Sequence, residues 1–205
     1  MPLPNRVTPF GDLTAASARG LLMGNRGGHL HDKNRRLGTR RWVSRAWICC
    51  RLAFKDRHRQ VWGEGYTELF FLDEPTALAA GHRPCFECRR ADALAFAEAW
   101  ADAHGSDRKS SAGEMDHVLH AQRLDERAKR LHPPQPDLPD GSFVTLVDDP
   151  DAYAVRHGRL LCWSHEGYVD AGALGDARVV AVITPPATIA VLARGYAPQW
   201  HSSAD

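Results

Sequence analysis

Cys85 and Cys88, three positions apart and preceded by Pro84, have the spacing that lets two thiolates converge on one tetrahedral ion from a single turn, with the following amides free to hydrogen-bond the sulfurs. The chemistry this points to is zinc binding. A redox pair uses the same C-x-x-C spacing, but there the motif opens a helix after a strand inside a βαβ unit, a pattern not found in this chain. Two ordinary buried thiols are the plainest alternative. A structural zinc takes four ligands, and Cys49 and Cys50 are the upstream donors. Adjacent side chains on an extended strand point to opposite faces, so one of the two should reach the ion. Cys50 is the expected ligand, with Cys49 packing inward. His31, His58, His82 and His120 all suit the fourth position, as does a water if the site is catalytic.

A second constellation lies further on. Asp116 and His120 are one helical turn apart, and His117 and His120 are within reach of one ion at three-residue spacing. Met115-Asp116-His117-Val118 is similar to the Asp-His step of HNH nucleases, without that family's later Asn and His. The alternative is an ion pair on a solvated helix face. Near the amino terminus, Asn25, Arg26, His31 and Asp32 share a glycine-loosened stretch with Arg35 and Arg36, which could approach phosphates through its amides or simply be flexible. His120, Asp116 and His31 are therefore the candidate acid/base groups of a metal-dependent hydrolase or nuclease. Trp42, Trp47 and Trp62, interleaved with arginines, suit a core better than base stacking. Cys162 beside Trp163 reads as buried and inert.

These residues need elements to hold them. Residues 1–39, rich in Gly, Pro and polar groups, read as a loop-rich basic arm. Aromatic and branched residues over 41–54 predict a strand, with a partner around 60–62 across a charged turn at 55–59. A strand over 66–72 leads to Asp73 as N-cap, Pro75 in the first turn and a short helix through Ala80 that Gly81 ends. The knuckle 82–88 precedes a helix over 89–104 with Leu94, Ala97 and Trp100 on one stripe, and a second helix over 114–131. Pro133-Pro134-Gln135-Pro136 breaks the chain. Short strands follow at 143–147, 153–156, 160–163 and 179–183. The fold class is α+β: a basic arm (1–39), a zinc-knuckle strand and helix module with two following helices (40–132), and a small antiparallel β-rich unit (137–205). Residues 76–84 and 190–198 echo each other as short helices that end on Gly and turn through Pro, a likeness that shared capping physics explains.

The stretch from Phe70 through Pro75, Gly81, His82, Arg83, Pro84 and Cys85 to Cys88 resembles the second half of the zinc-binding domain of the Ada family of DNA-repair proteins. In that family an aromatic strand, an Ala-rich helical turn, Gly, and Arg-Pro-Cys-x-x-Cys follow in this order. Ile48-Cys49-Cys50-Arg51 is similar to the family's strand ending in its first cysteine. The resemblance spans residues 46–90. It departs at the family's second upstream cysteine, because the fourth residue after Cys50 is Phe54, and the segment between the two halves is longer here. The resemblance implies a zinc-stabilised, phosphate-facing module. It does not extend to the family's methyl transfer onto a zinc-bound thiolate, for which Cys50 would be the candidate.

Charge is ordinary overall, at +1, but uneven: the first 60 residues hold thirteen Lys and Arg against three Asp. Arginine dominates there, and its planar fork suits phosphate oxygens, although a GC-rich genome produces the same bias. Neither a leader nor an apolar run of about 20 residues is present, so no membrane association and a cytoplasmic location are expected. Five cysteines, two of them adjacent, do not form a disulfide framework. The leading expectation is a zinc protein in which Cys50, Cys85 and Cys88 bind metal while Arg40, Arg41, Arg45, Arg83, Arg89 and Arg90 contact nucleic-acid phosphates. A protein-interaction module with zinc as a staple is the third reading, after the hydrolase.

Overall fold

A computed structural model describes residues 1–56 and 60–205; Arg57, His58 and Arg59, part of the expected charged turn, lie outside the described residues. The fold is α+β. One sheet contains β1 (Arg6–Val7), β2 (Leu13–Thr14), β3 (Leu22–Asn25), β4 (Ile48–Arg51), β5 (Leu69–Phe71) and β6 (Arg83–Pro84), in the order β2-β1-β5-β3-β4-β6. Residues 1–39 are thus no separate arm, since they supply three of its six strands. The sequence misleads at Gly24, which looks like a loop residue. A Cβ there would stand 2.1 Å from the Ile48 carbonyl oxygen and 2.8 Å from the Phe71 ring, so glycine is what lets β3 lie between its neighbours.

The strand expected over 41–54 is confined to β4. Its partners are β3, antiparallel, and β6, parallel, rather than residues 60–62. Upstream of it the chain bends, because Val43 and Ser44 both donate their N–H to the Arg26 carbonyl (2.9 and 3.1 Å).

Four helices follow: α1 (Glu74–Ala79), α2 (Arg90–Ala103), α3 (Ala112–Arg123) and α4 (Pro186–Ala193). Asp73 caps α1 as expected, accepting from the Thr76 N–H at 3.1 Å. Gly81 (φ +89°) and Gly195 (φ +86°) close α1 and α4 with the same pair of bonds, His82 N–H to Ala77 O and Tyr196 N–H to Val191 O being the longer-range member of each. Helix α3 begins earlier than expected, because Ser111 and Glu114 form a reciprocal capping box. It also ends earlier, at Arg123, where β7 (Leu124–Asp125) and β8 (Ala128–Lys129) fold back as a hairpin.

The second sheet is antiparallel: β9 (Phe143–Leu146), β10 (Asp149–Arg156), β11 (Arg159–Ser164), β12 (Gly167–Ala173) and β13 (Val179–Val182), in the order β12-β11-β10-β9-β13. Strand β12 went unread because Gly167-Tyr168-Val169-Asp170-Ala171-Gly172-Ala173 offers few branched residues and a mostly exposed face.

Helix α1 is buried on every side and joins the whole. Ala77 and Ala80 pack on the first sheet with Val7, Leu22, Leu69 and Phe71. Ala79 packs on the second with Phe143, Ala154 and Ile183. Leu78 enters the helical core of Phe96, Trp100, Met115, Leu119, Val191 and Leu192. Residues 133–136 are therefore a break in secondary structure and not a boundary between independent cores. Ahead of the helix, Asp73 accepts from the Tyr168 hydroxyl (2.9 Å) and the His201 N–H (3.2 Å). Glu74 accepts from the Tyr196 hydroxyl (2.6 Å) and the Gln199 N–H (2.9 Å).

Candidate metal centre

The parallel pairing of β4 with β6 sets Cys49 beside Pro84, and the Cys85 N–H donates to the Cys49 carbonyl at 3.0 Å. The chain then turns at the knuckle, and the Arg89 N–H returns to the Cys85 carbonyl (3.0 Å) as α2 begins. This places the sulfurs of Cys50, Cys85 and Cys88 within 4.8 Å of one another, close enough to hold one metal ion. Thiolates around a tetrahedral ion stand about 3.8 Å apart at the usual metal–sulfur length, which this spacing can accommodate. Main-chain N–H groups already address the sulfurs: Arg51 to Cys88 and Glu87 to Cys85, each at 3.4 Å.

Strand alternation separates the adjacent cysteines. Cys50 faces the trio, whereas Cys49 is fully buried among Val7, Leu22 and Phe71 on the other face. Burial pushes the Cys49 thiol well up, against the pull of the Arg89 guanidinium 3.6 Å away, and keeps it protonated. Within the trio, hydrogen bonds from Cys50 and Cys88 draw the Cys85 thiol down, and the same contacts push Cys50 up. Binding a cation here would release the thiol protons, so metal affinity should rise with pH.

No histidine or carboxylate completes this group among the described residues. His82 is buried against Trp47 and Phe71, its Nε2 accepting from Arg26 Nε at 3.4 Å, and burial beside Arg26 and Arg123 holds it well below its ordinary range. His31 stacks on Trp62 (5.0 Å) and its ring nitrogens meet Thr67 Oγ1 and the Gly63 carbonyl. His120 stands beside Arg123 and Trp42, lowered by burial and then by Arg123. His58 lies outside the described residues. The open side of the trio meets a cleft of about 690 Å³ that Met23, Arg51, Tyr66, Glu68 and Phe70 also wall.

Phe54 packs against the three sulfurs. It is the fourth residue after Cys50. Phe54→Cys is expected to complete a four-thiolate site. Cobalt-loaded protein would show stronger sulfur-to-metal charge-transfer absorption, and the metal would resist a chelator longer. An unchanged spectrum would mean that position 54 does not face the vacant ligand direction.

The hydrolase constellation does not assemble. Asp116 is buried and gives both oxygens to Arg83 (2.9 and 2.7 Å), rather than pairing with His120 on a solvated face. His120 and His31 each serve separate contacts, and none of the three reaches the sulfurs. The expected phosphate contacts also divide. Arg83 and Arg89 are 4% and 3% exposed and bind carboxylates, Arg89 bridging Glu74 (2.7 Å) and Asp92 (2.9 Å), so neither can meet a phosphate. Arg40, Arg41, Arg45 and Arg90 are exposed. Trp47 and Trp62 are core, as expected, but Trp47 has company that the sequence did not announce: the Arg26 and Arg123 guanidinium carbons each stand 3.9 Å from its ring centroid. Cys162 is only half-buried, raised by burial and by Asp151. No described helix is long and apolar enough to cross a membrane. Comparison with family models, curated proteins and solved structures found no match to this chain.

Proposed function

We propose that the protein binds one zinc ion through Cys50, Cys85 and Cys88 and lays an arginine-rich face on nucleic-acid phosphates. The observation that carries the first half is the convergence of three sulfurs from two distant segments, with main-chain N–H groups turned to them and the neighbouring thiol turned away. Soft thiolates in a knuckle suit zinc over harder divalent cations. The second half rests on exposed Arg40, Arg41 and Arg45, preceded by exposed Lys33, Arg35 and Arg36, with Arg90 exposed just after the knuckle. The resemblance of residues 46–90 to a zinc domain that faces DNA supports the same reading.

Elemental analysis should find about one zinc per chain. Binding to duplex DNA should weaken steeply with salt. Replacing Arg40, Arg41 and Arg45 together by alanine should flatten the slope of log K against log salt by about 2.7, the amount three lost phosphate contacts predict. Wild-type affinity that ignores salt would sink the nucleic-acid half and leave the zinc half standing. A second reading, a metal-dependent hydrolase, draws on one observation: Cys50, Cys85 and Cys88 all line the cleft, where a substrate could approach a bound ion. Metal-dependent turnover of nucleic acid would select it.

A further inference from the structure

Away from the sulfurs, β3, α3 and β8 bring Arg26, Arg123 and Lys129 to a cavity of about 130 Å³ that Arg41, Arg127 and Asp12 also line. Five cations thus face one carboxylate. Arg26 and Arg123 are 1% and 0% exposed, yet their hydrogen bonds go to neutral partners. Arg26 donates to the Gly11 carbonyl (2.8 Å), and Arg123 to the carbonyls of Gly81 (2.8 Å) and Arg45 (2.7 Å). Lys129 Nζ donates to the Ala79 carbonyl. Among the described residues the buried Nε of Arg123 has no hydrogen-bond partner. Among the described residues none of these three cations forms an ion pair, whereas the two other buried arginines, Arg83 and Arg89, both do. Burying like charges together is expensive when only Asp12, acting on Arg26, and Asp116, acting on Arg123, attract them from a distance, and a fold that pairs Arg83 and Arg89 so fully has the means to avoid it.

We infer that this cavity is a binding site for a single tetrahedral oxyanion of the phosphate type, free or as the terminal group of a phosphomonoester. The volume is that of about four waters, enough for one such group. The guanidinium forks and the ammonium supply the charge-assisted bonds a dianion needs. The cations hold one another down in the same sense: burial lowers Arg26 and Arg123 to about 9 each, and burial with Arg123 and Arg26 lowers Lys129 to about 7. The site needs no metal, and it shares only Arg41 with the arginine face proposed above, so variants of Lys129 and Arg127 test it separately from that face.

The test is calorimetric titration of the full chain with sulfate and inorganic phosphate, against sodium chloride at matched ionic strength. The dianions should bind with one-to-one stoichiometry. Lys129→Met, which removes a half-buried charge and keeps its volume, should weaken sulfate roughly tenfold or more, the loss of one charge-assisted bond. Arg127→Ala, at an exposed position, should weaken it without threatening the fold, and Arg40→Ala should leave it unchanged. A 5′-phosphorylated dinucleotide that binds more tightly than phosphate, and loses the gain on dephosphorylation, identifies a terminal phosphate as the ligand. Equal binding identifies the free oxyanion. Dianions acting no differently from chloride, or Lys129→Met binding sulfate as wild type does, would overturn the assignment.

Discussion

Cys88→Ser is expected to release the metal and lower the melting temperature while leaving a folded protein. A serine hydroxyl is a poor zinc ligand, and two thiolates should hold an ion far more weakly than three. In zinc-finger peptides the metal contributes the whole of folding, about 10–16 kcal/mol. The loss here should be far smaller. The sulfur trio ties only β4 to the turn between β6 and α2, and the clusters around α1 do not pass through it. The informative comparison is Cys49→Ser, one residue away from Cys50. Cys49 belongs to the apolar cluster with Leu22 and Phe71, so that variant should lose stability and keep its metal. Metal content and thermal unfolding of the two proteins together decide the matter; a Cys88→Ser chain that retains a full equivalent of zinc ends the assignment.

The largest effect on stability should come from Glu74→Ala. The carboxylate is 1% exposed and receives bonds from Arg89, Tyr196 and Gln199. Its removal leaves the buried Arg89 with Asp92, whose side chain is 39% exposed, and strands the Tyr196 hydroxyl. Breaking a buried pair from one side costs about 3–5 kcal/mol, a large part of the stability of an ordinary domain. Removing both partners in Glu74→Ala with Arg89→Met should recover part of the loss, because no uncompensated charge remains. Urea unfolding of the single and double variants measures this. A single variant that unfolds within about 1 kcal/mol of wild type would show that solvent already screens the pair.

The elements that local rules govern were legible in the sequence. Asp73, Pro75 and Gly81 mark both ends of α1 because capping needs only neighbours in the chain. The C-x-x-C turn and the opposite faces of Cys49 and Cys50 follow from backbone geometry alone. What escaped depends on distant partners. Arg83 looks like a surface cation until Asp116, 33 positions later, closes on it, and Arg26 looks like part of a flexible loop until Trp47 and Arg123 enclose it. Counting charges assigns arginines to the solvent by default, and four of this chain's arginines, at positions 26, 83, 89 and 123, break that default. Strand β3 escaped for a related reason, since the glycine that makes room for its neighbours also erases its strand signature.

The closure of the Asp73 and Glu74 carboxylates by Tyr196, Gln199 and His201 has a consequence for synthesis. Glu74 and Tyr196 are 122 positions apart. At ribosomal speeds of about 5–20 residues per second, roughly 6–24 s separate the appearance of the first from that of the second. From the completion of the cysteine knuckle until Tyr196 is made, the nascent chain carries acidic groups that still lack these partners, with the α2 surface awaiting α4. Met23, Ile48 and Phe54, which pack on the sulfurs, all precede Cys85, so the pieces of the metal site are complete early, and a metal captured then would pin β4 to the knuckle while the rest of the frame waits.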